Sequence, residues 1–239
     1  MTRVNSVKGK RVAVVLGLSL IGLVAVGGFF LRDMILDGVW LFAVRCGNSR
    51  IAMYGAVTLI DRGCLTAIPT ILSAFEKHMR EADSDTREAW LHVVGHMASM
   101  GPQAVEILGK CVADRKWSLG TRHVLYSTVG TMAVTDDRAL DILIDGVYDK
   151  DPRVKEFALM NLLPAGPRAA KSVPAVSRVL SDEPEPGLRA MAAYLLGFIG
   201  GGGATSALTR ALRDTSEKVR TEAANAIKRI EGRSEASSK

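Results

Sequence analysis

The stretch from Leu188 to Gly200, LRAMAAYLLGFIG, decides the fold of this chain. Its apolar and small residues recur three and four positions apart, which predicts an amphipathic helix. After a glycine-rich break, residues 207–212 (ALTRAL) resume the same spacing and predict a second helix. Two such helices form a hairpin whose apolar side needs a neighbour to cover it.

The hairpin pattern recurs along the chain, and a basic residue opens each copy. The separations between these residues are 37, 35, 33, 34 and 31 positions, for Arg50, Arg87, Arg122, Lys155, Arg189 and Arg220. Repeats of this length that each encode a helical pair stack into a solenoid. The sequence therefore predicts an all-α fold, with an α-solenoid of about five hairpins over residues 49–231. A half-repeat over residues 32–48 leads into it, and residues 232–239 form a flexible tail.

The breaks between helices carry glycine, which suits a backbone turn that other residues disfavour. The positions concerned are Gly63, Gly101, Gly166 and Gly200. Acidic residues end the units, where a carboxylate suits the N-terminus of the next helix. These are Asp114, Asp149, Asp182 and Asp214.

This pattern resembles the HEAT repeat, specifically the short HEAT-like units of phycobilisome lyases. The matching residues are Leu188-Arg189, Ala192-Ala193, Leu196-Gly197, Ile199-Gly200, Val173-Pro174-Ala175-Val176 and Ala67-Ile68-Pro69. The resemblance covers residues 49–231 and implies a solenoid of helical hairpins. It implies little about function, because such repeats serve many unrelated proteins. Trp90 and Leu125 stand where the repeat usually has alanine.

Residues 12–31 form an uncharged apolar stretch, VAVVLGLSLIGLVAVGGFFL. A helix of this length, at about 1.5 Å per residue, spans the roughly 30 Å hydrocarbon core of a bilayer. Residues 1–11 carry all four charges of the N-terminal segment, and all four are basic. The positive-inside rule then places residues 1–11 in the cytoplasm and the repeats on the other side. We expect a single-pass signal-anchor in a bacterial inner membrane, with the repeat domain periplasmic.

Two other interpretations of residues 12–31 remain open. A cleaved signal peptide would end near Ala25-Val26-Gly27, although the apolar run continues past that site to Leu31. A helix buried in a soluble protein is the second alternative. Cleavage would leave the repeats on the same side of the membrane, whereas a buried helix would remove the membrane from the interpretation.

The histidines, the glycine-rich stretch and the cysteines are not arranged as a metal site, a phosphate loop or a disulfide. His92 and His96 have a spacing that can hold zinc, but no third ligand is evident. The stretch GFIGGGG (residues 197–203) follows a helix, whereas a phosphate loop follows a strand. Cys46 and Cys64 flank a helix, too far apart for a disulfide. We expect no catalytic residue, cofactor or metal.

Large apolar side chains at predicted exposed positions indicate a surface for a protein partner. Met160, Tyr194 and Phe198 occupy two neighbouring columns of the first helices, in successive repeats. On the second helices, Arg178 and Arg210 belong to a column that becomes more basic towards the C-terminus. Both sets are candidate protein-binding residues.

The expected function is that of a membrane-tethered scaffold or assembly subunit that binds proteins of a membrane complex. Nucleic acid is disfavoured, because four of the basic residues behind the +6 net charge cluster before residue 12. The alternatives are a lyase or lyase chaperone similar to the bilin-attaching HEAT-like proteins, and a soluble regulatory adaptor.

Overall fold

A computed structural model of the protein describes residues 28–237, which form helices and no strand. The α-helices in chain order are α1 (Gly28–Val44), α2 (Ser49–Asp61), α3 (Ile68–Met79), α4 (Ser84–His96), α5 (Ala104–Ala113), α6 (Leu119–Ala133), α7 (Asp137–Val147), α8 (Pro152–Leu162), α9 (Val173–Asp182), α10 (Pro186–Ile199), α11 (Gly202–Ala211) and α12 (Glu217–Ser237). Short 3-10 helices precede α3 (Leu65–Ala67), follow α4 (Met97–Met100) and join α8 to α9 (Leu163–Ser172).

The predicted transmembrane segment, residues 12–31, lies outside the described residues except for its last four. Within residues 28–237, no helix is both long and apolar enough to cross a bilayer. The first described helix, α1, runs without a break across the predicted boundary between residues 31 and 32.

The helices form two layers, as the hairpin pattern predicts. The first helices of the hairpins (α2, α4, α6, α8 and α10) pack side by side, and α12 continues this layer against α10. The second helices (α3, α5, α7, α9 and α11) form the other layer. Helix α1 packs on both α2 and α3, which is where the second helix of a preceding hairpin would lie.

The apolar core runs continuously between the two layers. Leu196 of α10 and Leu208 of α11 are both fully buried, which confirms that their stripes face the interior of the hairpin. The unusual Trp90 and Leu125 are fully buried as well. They occupy the position that Ala192 fills in α10, so the core accepts side chains of very different volume at one repeat position.

Gly101 and Gly200 end first helices in a backbone conformation that is essentially restricted to glycine. Their φ angles are +80° and +78°, with ψ near 180°. Gly63 and Gly166 also have positive φ. The glycine breaks predicted from the sequence are therefore confirmed as turns that a side chain would strain.

The acids at the ends of the units do not cap the next helices, so that expectation is wrong. Other residues supply the N-caps of the helices that follow: Ser118 accepts from the N–H of Thr121, and Asp151 accepts from the N–H of Arg153. Asp182 is the last residue of α9, and the other unit-ending acids lie in the loops before the next helices. Asp149 and Asp214 there accept the backbone N–H two residues further on, and their other bonds go to arginines.

Those arginines come from the repeated basic column, and they are buried. Arg189 makes a bidentate pair with Asp214, at 2.8 and 2.9 Å, and donates to the carbonyls of Glu183 and Pro184. Arg122 pairs with Asp149 through one contact at 3.1 Å and donates to the carbonyl of Val112. We call this arrangement the arginine clasp, because it fastens the start of one hairpin to the loop that follows it.

The clasp is repeated in variant form in the neighbouring units. Lys155 pairs with Glu183 in place of an arginine–aspartate pair. Arg220 of α12 donates to the backbone carbonyls of Asp214 and Thr215, at 2.8 and 3.1 Å. The loop at Asp214 is therefore held from two successive first helices. Arg50 and Arg87, by contrast, are exposed and make no ion pair within the described part of the chain.

The first hairpin departs from the predicted exposure of the first-helix columns. The repeat spacing places Gly55 in the same column as Met160 and Tyr194, and Leu59 in the column of Phe198, so it predicts that both are exposed. Both are buried instead. Helix α1 is the cause at Gly55, since a Cβ there would lie 3.0 Å from the Ala43 side chain and 3.1 Å from the Trp40 carbonyl oxygen. The half-repeat thus covers the end of the array.

The C-terminal end is closed by α12. This helix continues past residue 231 to Ser237, so the segment predicted as a flexible tail is helical as far as that residue. Arg233 gives a physical reason, because its guanidinium donates to the backbone carbonyls of Phe198 and Gly197 at the end of α10.

Candidate protein-binding surfaces

The structure places the five candidate binding residues on two different layers. Met160 on α8 and the pair Tyr194 and Phe198 on α10 belong to the layer of first helices. Arg178 on α9 and Arg210 on α11 belong to the layer of second helices. The chain therefore presents two candidate surfaces rather than one.

Exposure differs among the three apolar candidates. Met160 exposes 51% of its surface and Tyr194 exposes 37%, whereas Phe198 is half-buried. Tyr194 and Phe198 lie one helical turn apart, and their ring centroids are 4.8 Å apart. These two rings form one aromatic unit on the surface of α10, and Met160 lies on the neighbouring first helix.

Arg229 of α12 completes this surface, and the sequence analysis did not select it. Its guanidinium carbon lies 4.4 Å from the centroid of Phe198 and 4.9 Å from that of Tyr194. Contacts of this kind are favourable because the face of an aromatic ring attracts a cation. We call Met160, Tyr194, Phe198 and Arg229 the aromatic–arginine surface. The available signal was that Arg229 occupies the same repeat position as Phe198.

A glycine allows α12 to approach closely enough for this contact. A Cβ on Gly197 would lie 2.6 Å from Nη1 of Arg229 and 2.7 Å from the Ala226 side chain. Arg229 Nη1 is itself buried, and within the described residues it has no hydrogen-bond partner. The positive charge of Arg229 is therefore balanced by ring faces rather than by a carboxylate.

The second surface is more polar. Arg178 is exposed, lies 3.6 Å from Asp182 on its own helix, and has its guanidinium 6.0 Å from the ring centroid of Tyr148. A shallow cavity of about 400 Å³ next to it is lined largely by polar atoms. Arg210 is exposed on the adjacent second helix. Exposed pairs of this type contribute little stability, so these residues are free to exchange partners.

A further cavity of about 570 Å³ lies between α5 and α7. The Arg122–Asp149 pair and Tyr126 form part of its wall. Burial raises the pKa of Tyr126 to about 12, so the phenol stays protonated at neutral pH. The charged groups lining this cavity are largely paired with one another, including Lys110 with Glu106 at 2.7 Å. Its chemistry therefore does not single out a ligand.

His92 and His96, both on α4 of the first-helix layer, contact different carboxylates. His96 bonds to Asp61 at 2.8 Å through Nε2, and the exposed His92 lies 3.8 Å from Glu88. Among the residues that the structure describes, no three His, Cys, Asp or Glu side chains are grouped as metal ligands would be. Cys46, Cys64 and Cys111 are free thiols.

Comparison with known proteins identifies the type of repeat in part of the chain. Residues 140–228, which extend from α7 into α12, match the family described as HEAT repeats. HEAT repeats are therefore present in the C-terminal part of the helical stack, as the resemblance implied. No curated protein matches the chain.

Several solved structures are similar to this chain at low identity. An engineered protein is 18% identical, with 82% of this chain and 96% of that chain covered and a TM-score of 0.45. A mutant of Kap121p is 14% identical (80% and 23% covered, TM-score 0.43). The complex of CpcE and CpcF of phycocyanin lyase from Nostoc sp. PCC7120 is 16% identical (78% and 74% covered, TM-score 0.40). We draw no conclusion about function from likenesses of this degree.

Proposed function

We propose that this protein is a membrane-tethered scaffold that binds another protein through the aromatic–arginine surface. The repeat domain would hold its partner next to a membrane complex, and residues 12–31 would supply the tether. Helical repeats support such a role because stacked hairpins present an extended surface made of several successive units.

The tether and its orientation rest on the sequence. Residues 12–31 are long enough to cross a bilayer and contain no charge, and Lys8, Lys10 and Arg11 precede them. On this basis we propose a single-pass protein of a bacterial inner membrane, with its N-terminus in the cytoplasm and its repeats in the periplasm. A reporter that works only outside the cytoplasm, fused after Lys239, should be active. Activity of a cytoplasm-only reporter would contradict the orientation.

The observation that carries the binding proposal is the composition of the aromatic–arginine surface. Tyrosine and arginine are enriched among residues that dominate binding free energies, and a half-exposed methionine adapts to different partners. Tyr194 and Arg229 contact each other within this surface. Because the rings hold the Arg229 guanidinium in place, a partner would not bear the full entropic cost of ordering it.

The charge of Arg229 indicates the chemistry of the partner. The guanidinium has no carboxylate partner within the described residues, although its surroundings are apolar on the side of the two rings. A protein segment that brings an acidic side chain next to an apolar one would satisfy both features. Such a segment gains a charge-assisted hydrogen bond while it covers Met160 and Tyr194.

The test is a triple substitution in the full-length chain: Met160→Ser, Tyr194→Ser and Phe198→Ser. The partner would be recovered with the wild-type protein from detergent-solubilised membranes and identified by mass spectrometry. We expect the triple variant to lose that protein while thermal unfolding changes little. A matched control, Arg178→Ser with Arg210→Ser, alters the other surface and should retain it.

Two results would contradict the binding proposal. If the triple variant unfolds, these residues belong to the core and not to an interface. If it folds and still retains the partner, the interface lies elsewhere, and loss of binding in the control variant would assign it to the second-helix layer. Arg229→Gln provides a milder check, since it removes the charge and preserves much of the side-chain length.

A further inference from the structure

We infer that the outer side of α1 and the adjoining edge of α2 rest in the lipid headgroup region of the membrane. This inference rests on the proposed tether and adds a second contact to it, in which the folded domain itself touches the bilayer. The surface consists of Met34, Val39 and Phe42 on α1 and Ile51 and Tyr54 on α2, and we call it the α1 surface.

The outer side of α1 is apolar, unlike that of an ordinary surface helix. Met34, Val39 and Phe42 expose 67%, 53% and 79% of their surfaces. At 3.6 residues per turn they lie, with Gly38, within an arc of roughly 140°. A helix on a water-soluble domain normally presents charged residues on that side and apolar ones to the core.

The two acids of α1 bind the repeat domain, although the Asp33 side chain remains 53% exposed. Asp33 and Asp37 lie on the opposite side of the helix, where both bind Arg62 of the first hairpin, at 3.0 and 2.7 Å. The charges that could have solubilised the outer side of α1 are thus used to hold α1 against the repeat domain. Its outer side stays uncharged from Met34 to Phe42.

The edge of α2 extends this surface with residues typical of membrane interfaces. Tyr54 and Ile51 are 66% and 50% exposed, and Tyr54 packs edge to face on Trp40 at 5.4 Å. Tyrosine and tryptophan are enriched at the level of the lipid headgroups. Arg45 and Arg50, both exposed, lie near the end of α1 and the start of α2, where a basic side chain can reach lipid phosphates.

A lipid surface fits better than another protein because of where the α1 surface lies in the chain. Helix α1 begins at Gly28 in the described residues, so it contains the last four residues of the proposed membrane segment. Met34 follows Leu31 by only three positions, or about 4.5 Å of helix. Met34 is therefore held next to the bilayer, and an inclined α1 would bring the rest of the α1 surface, as far as Phe42, to the depth of 5–10 Å typical of interfacial helices.

Photo-crosslinking of the full-length chain tests the inference directly. The protein is reconstituted into vesicles of phosphatidylcholine and phosphatidylglycerol with p-benzoylphenylalanine at position 42, in place of the exposed Phe42. Because one exposed aromatic group replaces another, the fold should be unaffected. The control carries the same group in place of Ser206, an exposed residue of α11 at the far end of the stack. After illumination, mass spectrometry identifies what each position has captured.

We expect phospholipid adducts at position 42, several-fold more abundant than at position 206. A dimer adduct, or an adduct with residues 1–27 of the same chain, would overturn the inference by identifying a protein occupant. Absence of lipid adducts from a chain that stays in the membrane pellet after carbonate washing would also overturn it, and would leave the tether intact. Release of the full chain by carbonate would overturn the tether, and the inference with it.

Discussion

The two ends of the helical stack are fastened by different means. In α10, near the C-terminus, the core position three residues after the repeated arginine is Ala192, and the arginine itself is buried in the clasp with Asp214. In α4 the equivalent core residue is Trp90, and the repeated arginine, Arg87, is exposed. A small core residue with a buried ion pair and a large aromatic residue without one support the same hairpin geometry.

Trp90 stabilises its hairpin through specific contacts as well as through its volume. Its ring stacks on His78 at 5.5 Å and meets Phe75 edge to face at 6.4 Å. Its indole N–H donates to the hydroxyl of Ser49 in the preceding first helix, at 2.9 Å. Trp90 thus links neighbouring hairpins, as the arginine clasp does at the other end.

The largest effect should come from removing the side chain of Trp90. We expect Trp90→Ala to lower the free energy of unfolding by about 4 kcal/mol, because it leaves a large cavity in a fully buried site. Trp90→Leu, which introduces the residue found at this position in α6, should cost about half as much. Urea unfolding followed by circular dichroism measures both. Equal and small losses would show that the N-terminal hairpins do not depend on Trp90.

Breaking the arginine clasp should have the second-largest effect on the free energy of unfolding. We expect Arg189→Ala to cost about 3 kcal/mol, since it leaves the largely enclosed Asp214 carboxylate without its cation. The matched control is Arg87→Ala, at the same repeat position but exposed, which should cost less than about 0.5 kcal/mol. The same unfolding experiment compares them. A similar loss in both variants would mean that the repeated arginines act through something other than the clasp.

The smallest expected effect is the pH dependence of the clasp. The hydrogen bonds from Arg189 lower the pKa of Asp214 below its ordinary value. A carboxyl group with a lowered pKa in the folded state stabilises the fold above its unfolded pKa of about 3.9, and that contribution is lost as the pH falls through the folded pKa. We therefore expect the stability difference between wild type and Arg189→Ala to shrink below about pH 4. Acid unfolding curves for both proteins provide the measurement, and a constant difference would contradict the assignment.

Most of the fold could be predicted from the sequence because it depends on local periodicity. The spacing of Leu196 and Leu208 was sufficient to place them in the core, and Gly101 and Gly200 were sufficient to place two turns. The burial of Gly55 was not predictable in the same way. It depends on α1 packing across the first hairpin, and the pattern of α2 alone does not contain that contact.

The candidate surfaces were predictable only in part for a related reason. Periodicity indicates which side of a helix is exposed, and Met160 and Tyr194 are indeed exposed. It does not indicate where a long, flexible side chain on the next helix will lie. Arg229 reaches the rings of Tyr194 and Phe198 because Gly197 lets α12 come close, and this is a property of helix packing rather than of any one helix.

The loop at Asp214 has a consequence for how the stack comes apart. Arg189 and Arg220 both donate hydrogen bonds to this loop, and they lie on successive first helices. The free energy needed to open one hairpin therefore includes hydrogen bonds made by the next. In a one-dimensional array, such nearest-neighbour coupling sets the length over which units melt together. Helices α10, α11 and α12 should consequently behave as one foldon, with amide protons that exchange through a shared opening rather than by fraying inwards from Ser237.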